Sequence, residues 1–413
     1  MSQYKLSIQE VVYSLSDALD LVGVTHIHHG KRVGYMAGEF GKVLGFSPEQ
    51  MDNVLLAGIL HDCGVSKTVI HTKLAQFEWE NESEHCYIGA HLLESTPLLQ
   101  HLSPIVKHHH THWSVLKNLE IPEETKLAAN CIYLADRVDI LTLQYISDET
   151  DILLGIKAIC DKILARKGDW FCPEVIDAFI KIARSEIFWF RLESEHVCDY
   201  FSLWLKKSKA KTITFIQLRE LFHLFSWIVD AKSPFTKMHS DGVAKLARYI
   251  GFLSGQTRKT CEFLELAGLL HDIGKLRIPD TILEKPGILD ERELAIMRRH
   301  SFDTYNVLKN IKGLEHVSEW AAFHHERLDG SGYPYHMEHE SIPIGVRIIA
   351  IADVFQALAQ RRPYREPLTP IQILDILKQQ VGKGQLDNHL VEIIEANLMS
   401  CWEVAVGDKV LRL

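Results

Sequence analysis

The sequence predicts an all-α protein built from two tandem copies of one helical unit. Three observations predict it. Apolar residues recur at three- and four-residue spacing along most of the chain, strand signals are few, and the chain matches itself at a nearly constant offset of half its length.

The helical spacing is clearest in Leu218–Val229 "LRELFHLFSWIV" and Glu262–Leu270 "EFLELAGLL". The best strand signal is C-terminal. "WEVAVGDKVLRL" holds two short apolar runs around Gly407-Asp408 and is expected to form a short β-hairpin.

The repeat rests on chemistry-bearing residues. The separation of His29 from His61 equals that of His239 from His271. His85 matches His300, and His109-His110 match His324-His325, at one shared offset. Asp136 matches Asp353 at nearly the same one. "FCPEVIDAF" from Phe171 resembles "LDNHLVEII" from Leu386. The first copy is expected over residues 1–204 and the second over 212–413. The basic stretch Lys206–Lys211 "KKSKAK" reads as a solvated linker between them.

The bulk numbers exclude several classes. A chain of 413 residues with 46% hydrophobic residues can bury sizeable cores. Its net charge of −9 argues against a general DNA or RNA binder. The N-terminus lacks a basic segment followed by an apolar run, and no stretch of about 18 apolar residues occurs, so neither a signal peptide nor a membrane span is expected. The 8 cysteines include no C-x-x-C pair and point to a reducing, cytoplasmic setting. The unusual count is 23 histidines.

In the second copy five histidines (His239, His271, His300, His324 and His325) and two carboxylates (Asp272 and Asp353) recur within helical segments. Packing alone gives no reason to collect buried imidazoles and carboxylates, since each needs a partner. Metal ions satisfy them together. The set is too large for one tetrahedral zinc and suits two octahedral ions with open water positions. Asp272, directly after His271, is the natural bridge. Two such ions can share a hydroxide and neutralise a phosphoryl oxygen, which gives phosphoester hydrolysis without a protein nucleophile. Lys275, one turn beyond, can hold a phosphate oxygen. Asp272 and Lys275 are therefore the residues expected to carry catalysis.

Several motifs together carry a family resemblance. "HDIGKLRIPDTILEKPGIL", "MRRHSFDTYNVL", "HHERLDGSGYP", "SIPIGVRIIAIADVF" and "QRRPYRE" resemble, in order, those of the HD-GYP phosphodiesterases, a subgroup of the HD metal-dependent phosphohydrolases. The match runs from about Thr212 to Leu398. The resemblance implies a helical HD domain that hydrolyses a cyclic dinucleotide, cyclic di-GMP or cyclic GMP-AMP, to the linear dinucleotide or on to mononucleotides. It implies His239, His271, Asp272 and Asp353 as ligands of one metal, and Asp272, His300, His324 and His325 as ligands of the other. Lys275 is similar to the phosphate-binding lysine. Arg362 and Arg365 resemble residues that hold the substrate's phosphate and guanine. Gly332 and Tyr333 resemble the turn that lines the substrate cleft. Iron or manganese are the expected metals, with nickel, magnesium or zinc as alternatives, and a homodimer is an assembly compatible with such a chain.

Two positions depart from the pattern. Phe235 stands where three-metal members carry a glutamate, so a two-metal centre is expected. Gln356 replaces an aspartate in "DVFQAL". The first copy keeps His29, His61, Asp62, His85, His109, His110 and Asp136, although its triplet leaves the pair open between His108-His109 and His109-His110. Val65 stands in place of the lysine, and no DGxGYP turn follows. This copy is expected to be a degenerate HD-like domain, non-catalytic, serving in packing, dimerisation or sensing. Competing readings of the whole chain are a broader HD-type nucleotide phosphohydrolase, an oxygen-using di-iron enzyme and a non-catalytic cyclic-dinucleotide receptor.

Overall fold

The computed structural model describes residues 2–22, 28–67, 83–147, 152–232, 239–361 and 366–407. The chain divides into two compact units, Ser7–Lys211 and Met1–Leu6 with Thr212–Leu413. Helices dominate both. The named strands among the described residues form one two-stranded sheet, β1 (Gln3–Leu6) beside β2 (Lys211–Thr214). Among the described residues no helix is long and apolar enough to cross a membrane.

The first six residues depart from the expected boundaries, because they join the second unit. β1 pairs with β2, and the Ser2 and Tyr4 hydroxyls donate to the Glu262 carboxylate at 2.9 and 2.6 Å. Tyr4 also packs on Phe263, with ring centroids 5.9 Å apart. The linker reading fits the exposed Lys206, Lys207, Lys209 and Lys211.

In the first unit the helices that matter for the site are α1 (His29–Leu44), α2 (Pro48–Leu60), α3 (Ser83–Glu94), α4 (Ser103–Lys107) and α5 (Glu123–Ser147). Ser47 starts α2 with a capping box to Gln50, and Pro48 sits at the first helical position, where a missing N–H costs nothing. α1 packs on α2 and α5.

The second unit repeats the plan. After α6 (Phe215–Lys232) come α7 (His239–Leu253) and α8 (Arg258–Leu270), then a 3₁₀ turn at Ile273–Arg277. They are followed by α9 (Glu291–Leu308), α10 (Glu315–Ala322), α11 (Ile344–Ala359), α12 (Pro370–Gly382), α13 (Asn388–Ala396) and α14 (Leu398–Val406). α7 packs against α8, α11 and α14, burying Leu246, Ile250, Leu266, Ile348 and Phe355 completely. A glycine lets the next histidine-bearing helix approach in both units. A Cβ on Gly274 would lie 2.0 Å from the His300 carbonyl oxygen, and one on Gly64 would lie 2.1 Å from that of His85. The "HDxG" glycine is thus a packing requirement repeated in both units.

The C-terminal hairpin is corrected. Trp402–Val406 is the end of α14, and Gly407 closes that helix at φ +86°, with its N–H bonded to the carbonyls of Glu403 and Val404. Cys401, Val404 and Ala405 are buried at three- and four-residue spacing, so tertiary packing of a helical face outweighs the β-propensity of two valines. The second run, residues 408–413, lies outside the described residues.

Candidate metal centre

In the second unit, His239 opens α7, His271-Asp272 end α8, His300 lies inside α9, His324-His325 follow α10, and Asp353 lies on α11. These seven side chains converge. His239 Nε2 is 3.3 Å from Asp353 Oδ1 and 3.7 Å from Asp272 Oδ2. His271 Nε2 is 3.3 Å from Asp272 Oδ2. On the opposite side of the same carboxylate, His300 Nε2 and His324 Nε2 lie 3.6 and 3.8 Å from Asp272 Oδ1. His300, His324 and His325 can offer one nitrogen each to a common point, as can His239, His271 and Asp353 with a carboxylate oxygen. Asp272 faces both groups, with Oδ2 towards His239 and His271 and Oδ1 towards His300 and His324.

The outer contacts fix which nitrogen points inward. The Nδ1–H groups of His271, His300 and His324 donate to the carbonyls of Gly268, Met297 and Ala321, at 2.8, 2.7 and 2.7 Å. Each carbonyl lies three residues earlier, so the helix itself holds the ring and leaves the Nε2 lone pair for a ligand. His271 Nε2, His324 Nε2 and Asp272 Oδ1 are fully buried without a hydrogen-bond partner among the described residues. Three orphaned buried acceptors around one point fit a bound cation. Burial drives His300 down to about 4 and holds His324 and His325 well below the usual imidazole range, which keeps those rings neutral and ligand-competent. Burial pushes the Asp272 carboxyl up, but His271 and Lys275 outweigh it and hold it well below the usual carboxylate range. Asp353 is held low in the same way by its contacts with His239 and His271, against burial.

The substrate-facing residues are partly visible. Lys275 lies on the 3₁₀ turn, and its ammonium is 2.5 Å from Asp272 Oδ2. Gly332 allows the turn to fold back on itself, since a Cβ there would sit 2.3 Å from the Arg327 nitrogen. The Tyr333 N–H donates to the His325 carbonyl at 3.2 Å, and its ring covers His325 with centroids 4.7 Å apart. The Arg298 guanidinium lies 5.4 Å from the same ring. Arg362, Arg365 and Phe235 lie outside the described residues.

Two supporting residues extend the set. Gln356 Oε1 accepts from His239 Nδ1–H at 2.5 Å, which gives the departure from the aspartate pattern a physical role. Glu326, buried between the histidine pair and the turn, accepts the N–H groups of Tyr335 and Met337 at 2.7 and 2.9 Å. Its signal in the sequence is an acid placed directly after two candidate ligands.

The first unit holds a related cluster. His61 Nδ1 and His109 Nδ1 donate to the carbonyls of Gly58 and Val106 at 2.8 and 2.6 Å. The triplet resolves in favour of His109-His110. His109 is fully buried and His110 Nε2 lies 3.8 Å from Asp136 Oδ2, whereas His108 turns to the Thr111 hydroxyl at 3.3 Å. In place of a glycine-rich turn, His112 stacks on Trp170, with centroids 5.0 Å apart. Val65, in the lysine position, is buried.

HD-domain family models match residues 223–390 and 27–141. The chain is 35% identical over 410 residues to a Vibrio cholerae protein named 3'3'-cGAMP-specific phosphodiesterase 1, covering 98% of this chain and 95% of the relative. It is 38% identical over 152 residues to a cyclic di-GMP phosphodiesterase of Thermotoga maritima, covering 36% of this chain and 41% of that one. A crystal structure of a V. cholerae cyclic GMP-AMP-specific phosphodiesterase shares the fold, with a TM-score of 0.65 at 22% identity over 96% of this chain and 98% of that one.

Proposed function

The chain belongs to the HD-GYP-type family of metal-dependent cyclic-dinucleotide phosphodiesterases, and from that premise we propose that it acts on 3'3'-cGAMP, with the chemistry in the second unit. The substrate rests on identity along nearly the full chain to a protein named for that specificity. The same relative's name favours hydrolysis over the receptor and oxygenase readings. The location of the chemistry rests on one observation. Beside Asp272 the second unit carries Lys275 and the Tyr333 turn, whereas the first unit has buried Val65 and an aromatic stack at those places.

In this reading His239, His271, Asp272 and Asp353 hold one divalent ion, and Asp272, His300, His324 and His325 hold a second. Iron or manganese suits this mixed imidazole and carboxylate set. Bound there, the ions supply an activated water and neutralise charge at phosphorus. Lys275 presents its ammonium from the Asp272 edge to a phosphate oxygen. Tyr333 covers His325 and offers its ring face beside Arg298 to the substrate side. Arg362 and Arg365, outside the described residues, keep the phosphate and base roles that their motif's resemblance implies. An N-terminal unit without the lysine serves as a non-catalytic, regulatory domain. Eight cysteines without a C-x-x-C pair support a cytoplasmic setting.

The deciding experiment loads the full chain with iron or manganese and supplies 3'3'-cGAMP and cyclic di-GMP in parallel, with chromatographic separation of the products. Faster opening of 3'3'-cGAMP is expected. Preference for cyclic di-GMP overturns the substrate assignment, and full activity in Asp272→Ala overturns the placement of the centre.

A further inference from the structure

The first unit carries a ligand set that the second does not. Immediately after His85 stands Cys86, where His300 is followed by Ser301. His85 Nε2 lies 3.2 Å from His109 Nε2, and Cys86 Sγ lies 3.7 Å from the former and 3.9 Å from the latter. Tetrahedral zinc, with bonds of about 2.05 Å to nitrogen and about 2.3 Å to sulfur, spaces its nitrogens about 3.3 Å apart and nitrogen from sulfur about 3.6 Å. The observed triangle thus matches one face of a zinc tetrahedron closely. His110 supplies the fourth corner, since His85, Cys86, His109 and His110 each bring one ligand atom into a common cluster within 4.8 Å. His109 Nδ1–H is committed to the Val106 carbonyl at 2.6 Å, which leaves Nε2 as a lone pair. His85, Cys86 and His109 are all buried.

In the other half of the first unit's cluster, Asp136, Asp139 and His29 already find partners within the chain, while His61 Nε2 and Asp62 Oδ1 stay buried without a hydrogen-bond partner among the described residues. The buried Arg137 guanidinium donates to Asp136 Oδ2 from Nε at 3.1 Å and Nη2 at 2.7 Å. Its counterpart in the second unit is Val354. His29 lies between Asp139, at 2.7 Å from Nδ1, and Asp136, at 3.3 Å from Nε2. Arg32 adds a further cation on Asp139. At Asp136 and Asp139 the first unit therefore supplies its own positive charge, from Arg137 and Arg32.

We propose that the first unit holds a closed zinc site formed by His85, Cys86, His109 and His110. Three nitrogens and a thiolate select zinc over harder ions, and four protein ligands leave no water position, so the ion stabilises the unit and does not hydrolyse substrate. The inference concerns this unit's metal content and does not depend on the activity proposed above.

The test uses the full chain loaded with cobalt(II) in place of zinc. Thiolate ligation gives a sulfur-to-cobalt charge-transfer band, to which the second unit's ligand set contributes nothing because it contains no cysteine. The band is expected in the wild type, with about one equivalent of cobalt responsible. It should vanish in Cys86→Ser, which installs the second unit's own residue, and in Cys86→Ala. It should persist in Cys63→Ala, a neighbouring buried cysteine. Competition with a chelator should release about one zinc per chain more readily from Cys86→Ser than from wild type. The wild-type spectrum decides even if a variant fails to fold. Cobalt bound without the band, no cobalt bound in the first unit, or a band that survives Cys86→Ser or is lost only in Cys63→Ala overturns the proposal. The close approach of His85 to His109 would then mean an imidazole–imidazole hydrogen bond.

Discussion

Gln356 orients His239 through one hydrogen bond, Oε1 to Nδ1–H at 2.5 Å, in the place where Asp139 orients His29 in the first unit. The exchange of amide for carboxylate comes with a second exchange. Arg32, which pairs with Asp139, is matched by Gly242, and a Cβ on Gly242 would lie 2.8 Å from Gln356 Nε2. A carboxylate with its arginine has become an amide with room for its side chain. Outer partners of this kind commonly set metal affinity by about 10- to 100-fold. Gln356→Ala is therefore expected to weaken metal retention by the second unit by about that factor while leaving the fold intact. Chelator competition with metal analysis checks it, and unchanged retention would remove Gln356 from the centre.

Lys275 reaches Asp272 from the turn beyond α8. If it stabilises charge on phosphorus, Lys275→Met should lower kcat by about 10²- to 10³-fold with the metal content of the wild type. Steady-state kinetics paired with metal analysis separates this from a role in holding Asp272, which would show as lost metal.

Glu326 ties down the turn through the N–H groups of Tyr335 and Met337. Glu326→Ala leaves both donors without their carboxylate, a loss of about 1–3 kcal/mol each where they remain buried. The turn should loosen and KM for the cyclic dinucleotide should rise by about tenfold or more, with metal content unchanged. Equal falls in kcat and metal content would instead assign Glu326 to the histidine pair.

Asp230 gives a pH dependence. Burial raises its carboxyl to about 7, the Ser240 hydroxyl at 2.8 Å opposes the shift, and the charge of Asp272 adds to it. In the fold Asp230 stays protonated across a range where the unfolded chain has lost that proton. Stability is therefore fully present below the ordinary carboxyl value of about 4 and is lost as pH rises to about 7, by at most about 4 kcal/mol. Chelator-treated wild type should lose stability between pH 4.5 and 8 relative to Asp230→Asn, and parallel urea midpoints for the two proteins would refute the assignment.

The repeat and the ligand cluster were legible because both depend on residue types that packing does not otherwise collect. Histidines and aspartates at matched offsets carry their own signal, and the structure gathers the other six of the second copy's set around Asp272. What escaped depended on neighbours distant in sequence. Two valines near the C-terminus favour a strand on local propensity, and it is packing against α7, α11 and α12 that makes Val404 and Ala405 helical. The choice between His108 and His110 rested on which ring reaches Asp136, a matter of tertiary approach. The role of Glu326 required knowing that the chain returns over it at Tyr335 and Met337.

The pairing of β1 with β2 has a further consequence for how the chain is built. The second unit begins with Met1–Leu6, pauses while Ser7–Lys211 forms the first unit, and resumes at Thr212. The first unit is in effect an insertion between two adjacent strands of the other, and its two ends leave from that ribbon. A fragment beginning at Thr212 is then not the second unit freed of its neighbour. It lacks an edge strand and leaves Glu262 without the hydroxyls of Ser2 and Tyr4. Supplying Met1–Leu6 through a short linker is the way to cut this protein in two and keep both pieces whole.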